Sequence, residues 1–150
     1  MQAFVPDYRH IVMAATNGEP KRLPLYEHLV SPKIMEQVLQ TEFAALIEGD
    51  ERDRREFFRQ YCRFFQTLGY DTVSFECCIG EVMPGSGCLG GHKEPAIRDR
   101  ADFERYPWDE VEVRYFQKYT PYFRALAETM PAGMKAIGGV GNGIFECVQD

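Results

Sequence analysis

Hydrophobic positions along the chain change period several times, and each change marks an expected element. From Ser31 the pattern is helical: Ser31 offers a capping hydroxyl, Pro32 a preset first position, and Ile34, Met35, Val38 and Leu39 follow at helical spacing. Phe43 to Ile47 continues that apolar face. A second helix is expected from near Asp50 to Leu68, because Phe57, Phe58, Tyr61, Phe64, Phe65 and Leu68 recur as a wide stripe and Gly69 supplies a stop. At that spacing an aromatic stripe reads as core packing. The stretch Asp7 to Gly18 reads as a short helix, with Asp7 as its cap and Gly18 as a left-handed stop.

Three runs read as strands. Arg22 to Leu29 is the first, with Pro24 confined to its beginning or to an edge. Tyr70 to Glu76, rich in β-branched and aromatic residues, is the second. Met134 to Val140 is the third, followed by a glycine-rich loop and the start of a helix. Between the second and third lie a helical turn at Ala101 to Trp108 and a long helical segment from Asp109 to Met130. The long segment carries Val111, Tyr115, Phe116, Tyr119, Tyr122, Phe123 and Leu126 on one side, and Pro121 is expected to kink or restart it. Strands separated by helices predict right-handed crossovers and a parallel sheet within one domain, 1–150. Because the chain stops at Asp150, the last helix is expected to lack the strand it should lead to.

Composition narrows the function classes. The 150 residues are 45% hydrophobic and 27% charged, as in an ordinary globular protein with a buried core. A net charge of −6, without any basic run interleaved with aromatics, argues against nucleic acid or an anionic membrane as partner. No apolar run approaches the roughly 20 residues of a membrane span, and the N-terminus lacks a signal-peptide pattern, so a cytoplasmic protein is expected. Five cysteines, an odd number sparsely placed, suggest reduced thiols.

In parallel α/β folds, reacting groups collect where strands end. The candidates are therefore Glu27 and His28, then Glu76, Cys77 and Cys78, then Gly141 and Asn142. Glu27 and Glu76, if facing, would form a carboxylate pair able to share a proton or to hold one raised pKa. Cys78 with His28 or His92 would suit nucleophilic catalysis. Cys77, Cys78, Cys88 and His92 have zinc-ligand atom types but match no standard zinc spacing. The glycine-dense Cys77 to His92 stretch is expected to face a substrate. Gly138 to Gly143 departs from the Gly-x-Gly-x-x-Gly spacing of dinucleotide sites. Its glycines suit close approach of a bulky planar ligand instead, with Asn142 as a hydrogen-bonding group.

The pieces Arg22-Leu-Pro-Leu-Tyr26, Gly69-Tyr-Asp-Thr-Val-Ser-Phe75, Ala101-Asp-Phe-Glu-Arg-Tyr-Pro-Trp108 and Pro131-Ala-Gly-Met-Lys-Ala-Ile-Gly-Gly-Val-Gly-Asn-Gly-Ile-Phe-Glu-Cys147 resemble the N-terminal part of the uroporphyrinogen decarboxylase superfamily. The resemblance spans nearly the whole chain. It implies an α/β fold: the first three strand-helix units of a TIM-type (β/α)8 barrel, incomplete in this chain. It also implies a tetrapyrrole or corrinoid ligand at the strand ends, and one of two chemistries. Carboxy-lyases of the family decarboxylate uroporphyrinogen without a cofactor; its methyltransferases are linked to a corrinoid and use zinc, through ligands in later strands than this chain contains. Where the decarboxylases place an Arg-Gln-Ala-Gly-Arg motif to clamp carboxylates, this chain has Glu27-His-Leu-Val-Ser-Pro32, without arginine. The decarboxylase aspartate after the second strand falls on Glu76 or on Cys78. These departures favour the methyltransferase-like branch. On this reading Glu76, Cys78 and His28 are the catalytic candidates, Glu27, Gly141, Asn142 and Gly143 the ligand-binding ones. An inactive segment, self-associating or pairing with a complementing chain through an open sheet edge, is the alternative expectation.

Overall fold

A computed structural model describes residues 4–85 and 94–141. In chain order the helices and strands are α1 (Arg9–Ala15), α2 (Pro32–Leu39), α3 (Glu51–Thr67), β1 (Thr72–Glu76), α4 (Arg100–Arg105), α5 (Val111–Thr129) and β2 (Lys135–Gly139). Short 3-10 turns cover Ala44–Glu48, Ile79–Glu81 and Trp108–Glu110. The sheet has two hydrogen-bonded strands, β1 and β2, which run parallel. The connection between them carries α4 and α5, as a parallel pair requires. The chain divides into two compact units, Met1–Phe75 with Pro121–Ile137, and Glu76–Thr120 with Gly138–Asp150.

Three strand-helix units of a barrel were expected, and the structure overturns that fold class. The described residues are 52% helix and 8% strand, an α-rich domain with two parallel strands. The difference lies at Arg22 to Leu29, which forms no strand. Leu23 and Leu29 there are 83% and 71% exposed, so the run lacks the buried faces that hold a parallel strand in place. Pro24 brings no backbone donor, and the Glu27 carbonyl accepts the Ser74 hydroxyl at 2.5 Å in place of a ladder amide. The apolar letters were a reliable sign of hydrophobicity but not of burial.

The first unit is built on α3. Asp50 caps it by accepting the Asp53 amide at 3.0 Å, and Asp53 returns the contact to the Asp50 amide at 3.3 Å. The aromatic stripe is core, as its spacing predicts: Phe57, Phe58, Tyr61, Phe64 and Phe65 are all buried, whereas Leu68 at the cap is exposed. Rings meet edge-on, Phe57 with Phe58 at 5.1 Å and Phe58 with Phe75 at 4.8 Å, the arrangement the ring quadrupoles favour. Tyr61 buries its ring and donates its hydroxyl to the Ser74 carbonyl at 2.6 Å, so no polar atom is stranded by that packing. Gly69 ends the helix at φ +87°.

Around that core, acids fix the connections. Glu36 on α2 accepts the amides of Phe43 and Ala44, both at 2.7 Å, and pairs with Lys33 at 2.9 Å. It thereby stops the apolar run after Leu39 from continuing as helix: Gln40 turns left-handed at φ 51°, and Ala44–Glu48 winds as a 3-10 turn. At the start of β1, Asp71 is fully buried and accepts the Asp7 amide at 2.6 Å and the Arg22 guanidinium at 2.5 Å. Asn17, at φ 58°, supplies the left-handed residue after α1 that was expected of Gly18. Ser31 begins α2 without a side-chain cap, Pro32 holding the first position. Pro121 lies inside one continuous α5, and the division between the two units falls at that residue.

Candidate functional site

The sequence places its chemistry at strand ends, and the end of β1 is where the second unit brings such groups together. Glu76 closes the strand half-exposed; Cys77 turns inward and is 5% exposed; Cys78 is again half-exposed. This alternation carries the pleat of β1 two residues past its last rung. The chain then tightens into the 3-10 turn Ile79–Glu81, closed by the Glu81 amide on the Cys78 carbonyl at 3.1 Å.

The end of β2 lies alongside. The Cys77 amide donates to the Gly139 carbonyl at 3.2 Å and the Ile79 amide to the Val140 carbonyl at 2.9 Å, where a continued parallel ladder would reach Gly141, so the two chains stay bonded past the strand ends with the register slipped by one residue. Two glycines make this approach feasible. A Cβ on Gly139 would come within 2.6 Å of the Glu76 carboxyl carbon, and one on Gly141 within 2.8 Å of the Cys78 sulfur. Gly141 also has φ +125°, a conformation L side chains rarely adopt. Both glycines therefore sit against the candidate acid and thiol of the neighbouring strand end.

From α5, Tyr119 and Lys118 converge on the same turn. Tyr119 is 4% exposed, and its hydroxyl donates to Glu81 Oε2 at 2.6 Å while lying 3.5 Å from the Cys78 carbonyl. Lys118 Nζ reaches the same carboxylate oxygen at 3.2 Å. The Tyr119 hydrogen bond, with Lys118 adding to it, holds the Glu81 carboxyl below its usual range. Burial, then the Glu81 carboxylate, pushes the Tyr119 hydroxyl up, so it acts as a donor. Burial likewise pushes the Cys77 thiol up to about 12, with Glu81 adding to the effect; Cys77 is a packed hydrophobe rather than a thiolate.

The expected site residues fall into three groups. Glu76, Cys78 and Gly141 come together in the second unit. Glu27 and His28 belong to the first, where the His28 amide caps the Glu27 carboxylate at 3.0 Å and the His28 ring stands 3.4 Å from the Tyr26 hydroxyl. Asn142 and Gly143, like Cys88 and His92, lie outside the described residues. Sequence reasoning missed Glu81 and Tyr119. Tyr119 had been assigned to the apolar face of its helix by spacing, which reports the ring and not the hydroxyl; Glu81 was one acid in a long glycine-rich stretch. Among the described residues no group of three or more His, Cys, Asp and Glu side chains is placed to hold a metal ion. An open cavity of about 490 Å³ in the first unit, lined by residues that include Asp7, Arg9, His10 and Arg22, contains none of the expected site residues.

No family model, curated protein or solved structure matches the chain.

Proposed function

We propose that the chain is an enzyme segment that binds a tetrapyrrole or corrinoid at the paired ends of β1 and β2, with corrinoid-linked methyl transfer as the favoured chemistry. One observation carries the reading: Glu76 and Cys78 at one strand end stand directly beside Gly139 and Gly141 at the other. That is the arrangement in which a parallel α/β unit presents a ligand face. The resemblance of the Gly69 to Phe75 and Pro131 to Cys147 stretches to the uroporphyrinogen decarboxylase superfamily supports the ligand class. Within that class, Glu27 to Pro32 offers no guanidinium to a polycarboxylated macrocycle, and the chain carries a net charge of −6. A corrinoid, with its amide-bearing periphery, is the better match. In this reading Cys78 and Glu76 face the ligand, and Gly139 and Gly141 make room for those two side chains.

The reading also places the chain in the cytoplasm with a small-molecule ligand and without a nucleic-acid partner. No helix among the described residues is long and apolar enough to cross a membrane.

Absorption titrations with cobalamin and with a free-base porphyrin test the proposal. A corrin band shift that saturates, and weakens in Cys78→Ala, is expected; a Soret shift alone would instead favour the decarboxylase chemistry. No shift with either macrocycle would refute the ligand assignment.

A second reading, a non-catalytic module that pairs with another chain through its sheet, draws on β2. Among the described residues β2 is bonded to β1 alone, and Lys135, Ala136 and Gly138 on it are exposed. Gel filtration showing a monomer at all concentrations would exclude self-pairing.

A further inference from the structure

The Cys78 thiol belongs to the half-exposed face of the strand end, and two backbone hydrogen bonds and one sulfur contact fix the strand side of its loop. Its neighbour Cys77 donates to Gly139, Ile79 donates to Val140, and its sulfur rests against Gly141. Among the described residues no strand pairs with the far side of the loop. A 3-10 turn of three residues is a weak element, since its hydrogen bonds are poorly aligned and few. What closes that side is α5, through the Tyr119 hydroxyl on Glu81 and beside the Cys78 carbonyl, with Lys118 on the same carboxylate.

We infer that Tyr119 and Glu81 are positioning residues that clamp the loop after β1 and thereby set the placement of the Cys78 thiol at the ligand face. The importance of that placement rests on the proposed ligand site. The clamp itself rests on geometry. Tyr119 is a buried residue of α5 and so has a fixed origin, while Glu81 is a surface acid drawn to it. A buried phenol hydroxyl 2.6 Å from the Glu81 carboxylate and 3.5 Å from the Cys78 carbonyl ties both ends of the turn to one fixed point on the helix. Tyr119 touches no ligand in this scheme. It acts through the loop, with Cys78 as the group it places.

Thiol alkylation resolved by mass spectrometry tests the clamp on the whole chain without any ligand. Loss of one such hydrogen bond should raise the open population of the loop, and hence the Cys78 labelling rate in Tyr119→Phe, about fivefold. Cys62, fully buried in α3, reports unfolding of the first unit in the same experiment and should keep its rate. Glu81→Gln, which retains an acceptor for Tyr119, should stay close to the wild-type Cys78 rate, whereas Glu81→Ala should match Tyr119→Phe. Both Glu81 variants change a surface side chain, so they decide the matter even if the buried substitution fails to fold. Unchanged Cys78 rates in Tyr119→Phe and Glu81→Ala, or a parallel rise at Cys62, would overturn the clamp. Cobalamin and porphyrin titrations of the same proteins separate the two claims. Wild-type protein that binds neither macrocycle removes the proposed ligand site, while the labelling rates still decide the clamp.

Discussion

Asp71, just before β1, is wholly buried, and both the Asp7 amide and the Arg22 guanidinium are committed to one of its oxygens. Glu76, at the other end of the strand, is half-exposed and faces the bare backbone of Gly139, with the Cys78 thiol two residues on. The two acids are separated by one short strand, yet their surroundings give them different work. The first is enclosed among donors that the fold supplies, and its removal leaves those donors stranded. The second is half-exposed and packs against Gly139, in the place where any larger residue would put its Cβ. Burial with dedicated partners marks a structural carboxylate; partial exposure beside close-approach glycines marks a candidate for chemistry.

The comparison breaks most visibly if Asp71 is replaced. Asp71→Ala deletes the acceptor of a partly buried amide and the partner of a guanidinium about one third exposed, and should destabilise the chain by about 3 kcal/mol. Asp71→Asn keeps one carbonyl oxygen for these donors and should cost less, about 1 to 2 kcal/mol. Urea unfolding curves measure both. If Asp71→Ala unfolds at the wild-type midpoint, the acid is no anchor and the contrast between the strand ends disappears.

A smaller effect is expected at the glycine end. Gly139→Ala places a methyl where the Glu76 carboxyl now lies and should cost about 1 to 3 kcal/mol, because one group must move from a close-packed contact. Combining it with Glu76→Ser removes the clash, and the double variant should recover most of the loss in a mutant cycle. Strict additivity would show that the two residues do not share space.

Acid titration sharpens the contrast further, because a second structural acid has the signature expected of one. The amide of Ala44 first, then Lys33 and the amide of Phe43, hold the Glu36 carboxyl down at about 2, below its ordinary 4.5. The folded value is the lower one. Its contribution is therefore full above about pH 4.5 and is lost as pH falls towards about 2. Thermal unfolding followed down that range should show Glu36→Gln less stable than wild type at neutral pH, with the two curves converging in acid. Curves that stay parallel would remove Glu36 as the clip between α2 and the following turn.

How much of this was legible in the letters depends on what each residue spends its side chain on. The α3 stripe was readable because six apolar positions repeat with the helical period and the Asp50 cap and Gly69 stop agree with it. The strand ends Glu76 and Val140 were readable for the same kind of reason, a short apolar run bounded by turn residues. The first expected strand was not, since Leu23, Leu25 and Leu29 look the same in sequence whether buried or exposed. Long-range polar contacts were equally hidden. Asp71 meets Arg22 across 49 positions and Glu81 meets Tyr119 across 38, and neither separation leaves a local pattern. The glycines after β2 were noticed, but spacing could not say that Gly139 faces Glu76 and Gly141 faces Cys78.

The smallest stability change, and the sharpest test of the contrast, is expected from Glu76→Gln. The substitution keeps the shape and one carbonyl oxygen of the side chain beside Gly139 at a half-exposed position, so unfolding should shift by less than in Asp71→Asn, by about 0.5 to 1 kcal/mol. If Glu76 belongs to a ligand face, the same variant should weaken the cobalamin band shift while the melting curve hardly moves. A stability loss as large as that of Asp71→Asn would make Glu76 another structural acid. A neutral variant that binds cobalamin as tightly as wild type would leave Cys78 as the remaining candidate group on that strand end. The informative quantity is the ratio of the two effects, because a carboxylate that serves the fold changes stability first and one that faces a ligand changes binding first.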